Sequence, residues 1–83
     1  MATAPFDVPI KDEVIRLGQF LKLANLVESG ADAKAPIAEG AVRVNDEVET
    51  RRGRQLVVGD VVELAGQAAR VAPEGAATDD LPW

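Results

Sequence analysis

At Gly40 the spacing of the apolar residues changes, and that change limits the chain to a fold with helices first and a sheet after them. Before it, Leu17, Phe20, Leu21 and Ala24 recur at the i, i+3, i+4, i+7 intervals of one helical face, with Gln19 and Lys22 on the other. After it, Val42 and Val44 alternate with Arg43, Val48 stands between Glu47 and Glu49, and Leu56 to Val58, Val61 to Leu64 and Ala68 to Val71 read as further strands. Helical and pleated backbones display side chains with different periods, so one element cannot satisfy both halves. The predicted fold is α+β: two short helices packed on a small, curled, mostly antiparallel sheet.

Local signals mark the boundaries. The first helix runs from Arg16 to Asn25, a residue able to take the left-handed conformation that ends it. Ser29-Gly-Ala-Asp32 has the form of a capping box that opens a second helix, running through Ala33, Ile37 and Ala38 to Glu39, with Gly40 as its cap. Pro36 inside that helix removes one hydrogen bond, at about 3 kcal/mol if uncompensated, and predicts a kink or a start delayed to Asp32. Asn45-Asp46 and Gly59-Asp60 read as tight turns, and Val8 to Ile10 as a short edge strand that tolerates Pro9. Residues 1–7 and 73–83, rich in Ala, Pro, Gly and Asp, are expected to be flexible tails, the second acidic and with Trp83 its one candidate for packing. This leaves a domain over residues 8–72.

The residue inventory argues against catalysis. With no cysteine and no histidine the chain has neither the usual zinc ligands nor the usual acid–base group at neutral pH, and Ser29, its only serine, has no evident base beside it. Asp46, Glu47 and Glu49 lack calcium-loop spacing, and Arg52-Gly53-Arg54 matches neither the Walker nor the dinucleotide pattern. A non-enzyme with no cofactor, metal or small-molecule substrate is expected. Met1 to Pro9 has no basic, apolar leader, and no stretch approaches the roughly 20 apolar residues of a membrane span, so a cytoplasmic monomer is expected.

The net charge of −5 seats its excess at the ends. Outside residues 15–70 there are six acidic residues against Lys11 alone, so the stretch from Ile15 to Arg70 is neutral. Within it Arg43, Arg51, Arg52 and Arg54 fall inside twelve residues. Arginine forks match phosphate in a bidentate way; the alternative use of Arg51 or Arg54 is pairing with Glu47, Glu49 or Glu63. Arg43 faces away from Val42 and Val44, where it can share a face with the loop arginines. Lys34, early in the second helix, reads equally as an exposed lysine or a phosphate ligand. Ser29 reads first as a helix cap and Asn45 first as a turn residue.

The order Arg16-Leu-Gly-Gln-Phe-Leu21, Ser29, Ala33-Lys34, Ile37-Ala-Glu-Gly40, Val42-Arg-Val-Asn45 and Gly59-Asp-Val-Val62 resembles the alpha-L RNA-binding motif, the S-four-like domain family. Glu47-Val-Glu-Thr-Arg-Arg-Gly-Arg54 is similar to its short, free-standing bacterial members. The resemblance covers roughly residues 10–72. It implies that the two short helices form the alpha-L motif and, with adjoining strands, grip structured RNA, ribosomal RNA or an assembly intermediate included, through phosphates and shape. Arg16, Ser29, Lys34, Arg43, Asn45, Arg51, Arg52 and Arg54 occupy the matching stretch and are the implied contacts. Pro36 in the second helix and Asp46 in place of a glycine depart from the pattern. The face also lacks aromatics, which favours folded RNA over single strands. The competing reading is a protein-interaction module whose acidic tails and sheet edge dock a basic partner.

Overall fold

The computed structural model describes residues 4–74, in the order β1 (Phe6–Ile10), β2 (Val14–Arg16), α1 (Leu17–Leu23), a 3₁₀ turn (Ala31–Ala33), α2 (Lys34–Ala38), β3 (Val42–Val44), β4 (Glu47–Val48), β5 (Gln55–Val57), β6 (Val61–Leu64) and β7 (Gln67–Pro73). Five strands form a mixed sheet in the order β1-β7-β6-β3-β4, and β2 pairs with β5 in a separate two-stranded ribbon. Only β1 and β7 run parallel within the larger sheet. The α+β class and the two helices expected from the sequence are both present.

Apart from Phe20 the core is aliphatic, as a chain with so few aromatics requires. Leu17, Phe20 and Leu21 from α1 and Ile37 from α2 pack on Val42, Val44, Val62 and Val71 of the sheet, with Leu56 closing the ribbon side; all are essentially inaccessible. Each such side chain contributes about 1.5–3 kcal/mol.

Both helices end in Schellman motifs. At α1 the Leu26 N–H donates to the Leu21 carbonyl at 2.9 Å and Asn25 N–H to Lys22 at 3.0 Å, with Asn25 left-handed at φ 63°. At α2, Ala41 N–H donates to Pro36 at 2.9 Å and Gly40 N–H to Ile37 at 3.1 Å, with Gly40 at φ 78°. The proline is accommodated by where the helix begins. The Ser29 Oγ accepts the Asp32 N–H at 3.2 Å, opening the 3₁₀ turn, and Pro36 is then the third residue of α2, where a backbone N–H has no partner within the helix.

Four details differ from the expectation. β1 starts at Phe6, inside the segment read as tail, because its strand pairs along β7 from Phe6↔Ala69 to Ile10↔Pro73; Pro9 is tolerated at this outer edge. β7 reaches Pro73 by the same pairing. β2 was not foreseen: it is three residues long, only Ile15 is partly buried, and its pairing with β5 spans some forty residues of chain. β5 begins one residue earlier than read. Residues 1–3 and 75–83 of the expected tails, with the packing expected of Trp83, lie outside the described residues.

Candidate nucleic-acid interface

The Asn45-Asp46 turn fixes the direction in which the next side chains point. Both residues have positive φ, 53° and 71°, the arrangement of a two-residue hairpin turn, in which Asp tolerates the place usually held by glycine. The turn sets Val44 opposite Glu47 and Arg43 opposite Val48, and one step on the Glu49 N–H donates to the Val42 carbonyl at 3.0 Å. Opposed residues share a face. Val48 therefore points outward beside Arg43, 56% exposed, while Glu49 turns inward with Val42, 6% exposed. The alternation of Val48 with Glu47 and Glu49 is thus kept, with the valine on the outer face. Counting back from the turn, 44 against 47 to 42 against 49, carries the signal that alternation alone misses.

A carboxylate turned inward needs partners. Oε2 of Glu49 accepts the Arg51 backbone N–H at 3.0 Å and Arg51 Nε at 3.1 Å, and Oε1 accepts Arg54 Nη1 at 2.9 Å. The side-chain bonds from Arg51 and Arg54, then the Arg51 backbone bond, outweigh burial and hold the carboxyl at about 2, below its usual 4.5. Of the three loop arginines, two are thus internal ligands of one carboxylate, the pairing the sequence allowed as their alternative use.

The loop so folded caps α1. Arg16, the N-cap residue, makes no side-chain cap; instead the Leu17 and Gly18 N–H groups donate to the carbonyls of Arg54 at 2.8 Å and Arg52 at 3.2 Å. Gly18 is buried against Arg52, and a Cβ there would come within 2.8 Å of the Arg52 Cγ. The bare Cα of Gly18 is what lets the Arg52 stem lie across the start of α1.

Three adjoining hollows run along this junction. One, of about 330 Å³, is lined by Arg16, Gly18, Gln19, Gly30, Arg52 and Gly53. Gly53 is shared with a hollow bordered by Arg51, Arg54 and Gln55, and Gln19 with Gly30 is shared with one bordered by Ile15, Lys22 and Leu23. The track carries Arg16, Lys22, Arg51, Arg52 and Arg54, and among the described residues no carboxylate lines it. Two acidic residues elsewhere are engaged: Asp7 with Arg70 at 2.8 Å across β1 and β7, and Asp60 accepting the Val57 N–H at 2.9 Å and Asn45 Nδ2 at 3.1 Å.

Of the residues singled out in the sequence, the track therefore unites Arg16, Arg51, Arg52 and Arg54. The others stand apart from its lining. Ser29 caps the 3₁₀ turn beside Gly30, and Lys34 is exposed at the start of a five-residue α2. Asn45 is engaged in its turn, its Oδ1 accepting the Val61 N–H at 3.0 Å. Arg43 leaves the outer face of β3 between Val48 and Glu63, opposite the face on which Glu49 gathers the loop arginines. Gln19, Lys22 and the glycines Gly18 and Gly30 were missed. Nothing in their types marks them as contacts; Gln19 and Lys22 share the outer side of α1, and the fold sets Gly18 and Gly30 in the same lining.

Known proteins are similar to this chain in sequence and fold. A ribosome maturation protein of Bacillus subtilis described as probable, RlbA, is 56% identical over 59 residues, 71% of this chain and 83% of that protein. The putative RNA-binding protein YbcJ of Escherichia coli is 46% identical over 57 residues, 69% of this chain and 81% of its own. The solution structure of YbcJ, described as revealing an alpha-L motif involved in RNA binding, superposes with a TM-score of 0.58 at 42% identity, covering 83% of this chain and 86% of that one. The ribosomal protein S4e of Thermoplasma acidophilum shares the fold, with a TM-score of 0.56 at 23% identity over 72% of this chain and 32% of that one. The S4 domain model matches residues 8–72, and with these relatives it establishes that the chain belongs to the S4 domain family, a family of RNA-binding domains and not an enzyme type.

Proposed function

We propose that the protein binds folded RNA, ribosomal RNA or a ribosome assembly intermediate, by running a stretch of phosphate backbone along the Arg16–Arg52 track, and that it does so without catalysis. The observation that carries this reading is the placement of charge: in a chain of net −5, Arg16, Lys22, Arg51, Arg52 and Arg54 line three adjoining hollows, and Glu49, paired with Arg51 and Arg54, is the carboxylate at one end. Such a surface suits a polyanion, whose binding releases condensed counterions. Folded RNA is favoured over single strands because Phe20 is buried and Phe6 lies on β1, so neither aromatic among the described residues lines the track on which bases would stack. The names of the relatives, one tied to RNA binding and one to ribosome maturation, support the same choice. Arg16 and Arg52 are the primary contacts and Lys22 a flanking one. Arg51 keeps much of its guanidinium in solvent while paired, its side chain 78% exposed, and is a further contact.

The test is fluorescence anisotropy against a structured ribosomal RNA fragment and an unstructured RNA of equal length over a range of salt. Selective binding to the folded RNA is expected, with a log–log salt slope near −3 to −4 for about four phosphate contacts. Equal affinity for the two RNAs would sink the reading.

Gly18 offers a second expectation. Gly18→Ala adds a good helix former, worth about 1 kcal/mol, but its methyl group displaces the Arg52 stem. The thermal midpoint should move by only a few degrees, while affinity for folded RNA falls by roughly tenfold, the scale of one charged hydrogen bond. Circular dichroism melts alongside the anisotropy titration separate the two effects.

A further inference from the structure

The track changes character along its length. At the Arg16 and Arg52 end it is cationic; across the shared wall of Gln19 and Gly30 it opens into a hollow of about 680 Å³ bordered by Ile15, Lys22 and Leu23. Leu23 is 51% exposed, on the side of α1 away from the buried Leu17, Phe20, Leu21 and Ala24. A surface built only to follow the phosphates of a double helix has no use for an apolar floor beside its cations. A single nucleotide has the same succession of chemistry: an anionic phosphate at one end, a flat, weakly polar base at the other, and hydrogen-bonding groups along the base edge.

We propose that this junction receives one unpaired nucleotide extruded from a folded RNA. Its phosphate sits between Arg16 and Arg52, its base lies on Ile15 and Leu23, and the Gln19 side-chain amide meets the base edge. The inference rests on the RNA-binding function proposed for the track and adds the kind of RNA feature the site selects. An amide carries a donor and an acceptor side by side, the pattern needed to read an edge. A paired base has that edge engaged and an extruded one does not, which is why bulges and loops are where proteins read RNA sequence. Gln19 is exposed, and the Leu17 and Gly18 amides at the start of α1 are already taken by loop carbonyls, so the reading group is the side chain and not the helix end. One base packed on aliphatic side chains is compatible with a track that lacks the successive aromatic platforms of single-strand binders.

The experiment compares a fully paired RNA hairpin, the same hairpin with one bulged nucleotide (each of the four bases in turn), and the same bulge made abasic. At least one bulged hairpin is expected to bind about tenfold more tightly than both the paired and the abasic forms. Gln19→Ala and Leu23→Ala, both at exposed positions, should bring that ratio close to one while leaving the thermal midpoint as it is. Binding of all the hairpins with a ratio near one for every base would overturn the inference and leave the RNA-binding reading standing. A ratio that survives both substitutions would equally overturn it, since the discrimination would then lie elsewhere. Binding to none of the hairpins would overturn both.

Discussion

Replacing Arg16 and Arg52 together with alanine is expected to weaken binding to folded RNA by about a hundredfold at low salt and to leave the protein folded. Each guanidinium that meets a phosphate contributes a charge-assisted hydrogen bond of about 1.5–3 kcal/mol, and two at the lower end already amount to about a hundredfold. Neither side chain supports the fold: Arg16 makes no cap with its side chain, and the loop caps α1 through backbone carbonyls that the substitution leaves in place. The salt slope should fall by about two contacts' worth, close to 1.8 in magnitude. Arg51 and Arg54 form a control of the opposite kind. Alanine at either position removes a ligand of the inward-facing Glu49, so the thermal midpoint drops and RNA affinity falls with it. Substituting all the loop arginines at once would mix these two causes. Unchanged affinity in the Arg16 and Arg52 variant, measured beside an unchanged melt, would remove the track as the RNA site. A protein partner retained by that variant when RNA is lost would show a separate docking face.

The helices and turns were legible because their signals are local. Asn25, Gly40 and the Asn45-Asp46 pair each act within a few residues, and all three adopt the left-handed conformations their types favour. The buried face of α1 could be read from spacing alone, since burial on a helix repeats with the helical period. What could not be read depends on distant pairing. β2 has three residues and one half-buried side chain, too little pattern to distinguish from the start of a helix, and it exists because Gln55–Val57 lies beside it. The site has the same origin. Arg16 and Arg52 line one hollow because the Leu17 and Gly18 N–H groups find loop carbonyls, a contact no local rule anticipates. The arginine cluster stands out in the sequence, but composition could not divide it into two arginines that pair with Glu49 and one that lines the hollow beside Arg16. That division comes from Glu49, whose inward position is a consequence of turn length.

Glu49→Gln should expose this dependence as a matter of pH. Glutamine keeps the size of the side chain, loses the charge, and sets an amide N–H₂ against guanidinium donors. The expected cost at neutral pH is about 2 kcal/mol, less than the pKa displacement alone would suggest because Arg51 is 78% exposed and water competes for it. For a domain of this size that lowers the thermal midpoint by roughly 8–16 °C. The sign of the pH effect is set by the carboxyl being held at about 2 in the folded protein against 4.5 when free. Between those values the unfolded chain takes up a proton that the folded chain refuses, so stability drains away as pH falls through the window. Above about pH 4.5 the contribution is complete; near pH 2 it is mostly gone. The other carboxylates are common to both proteins, so subtracting the variant's melting curve from that of the parent isolates Glu49. The gap in midpoint should be widest near neutral pH, narrow steadily below about pH 4.5, and nearly close at about pH 2. A gap that holds constant across that range would mean that the carboxylate's charge does not secure the loop, and the arginines it gathers would then have to be held in place by the backbone contacts to α1 alone.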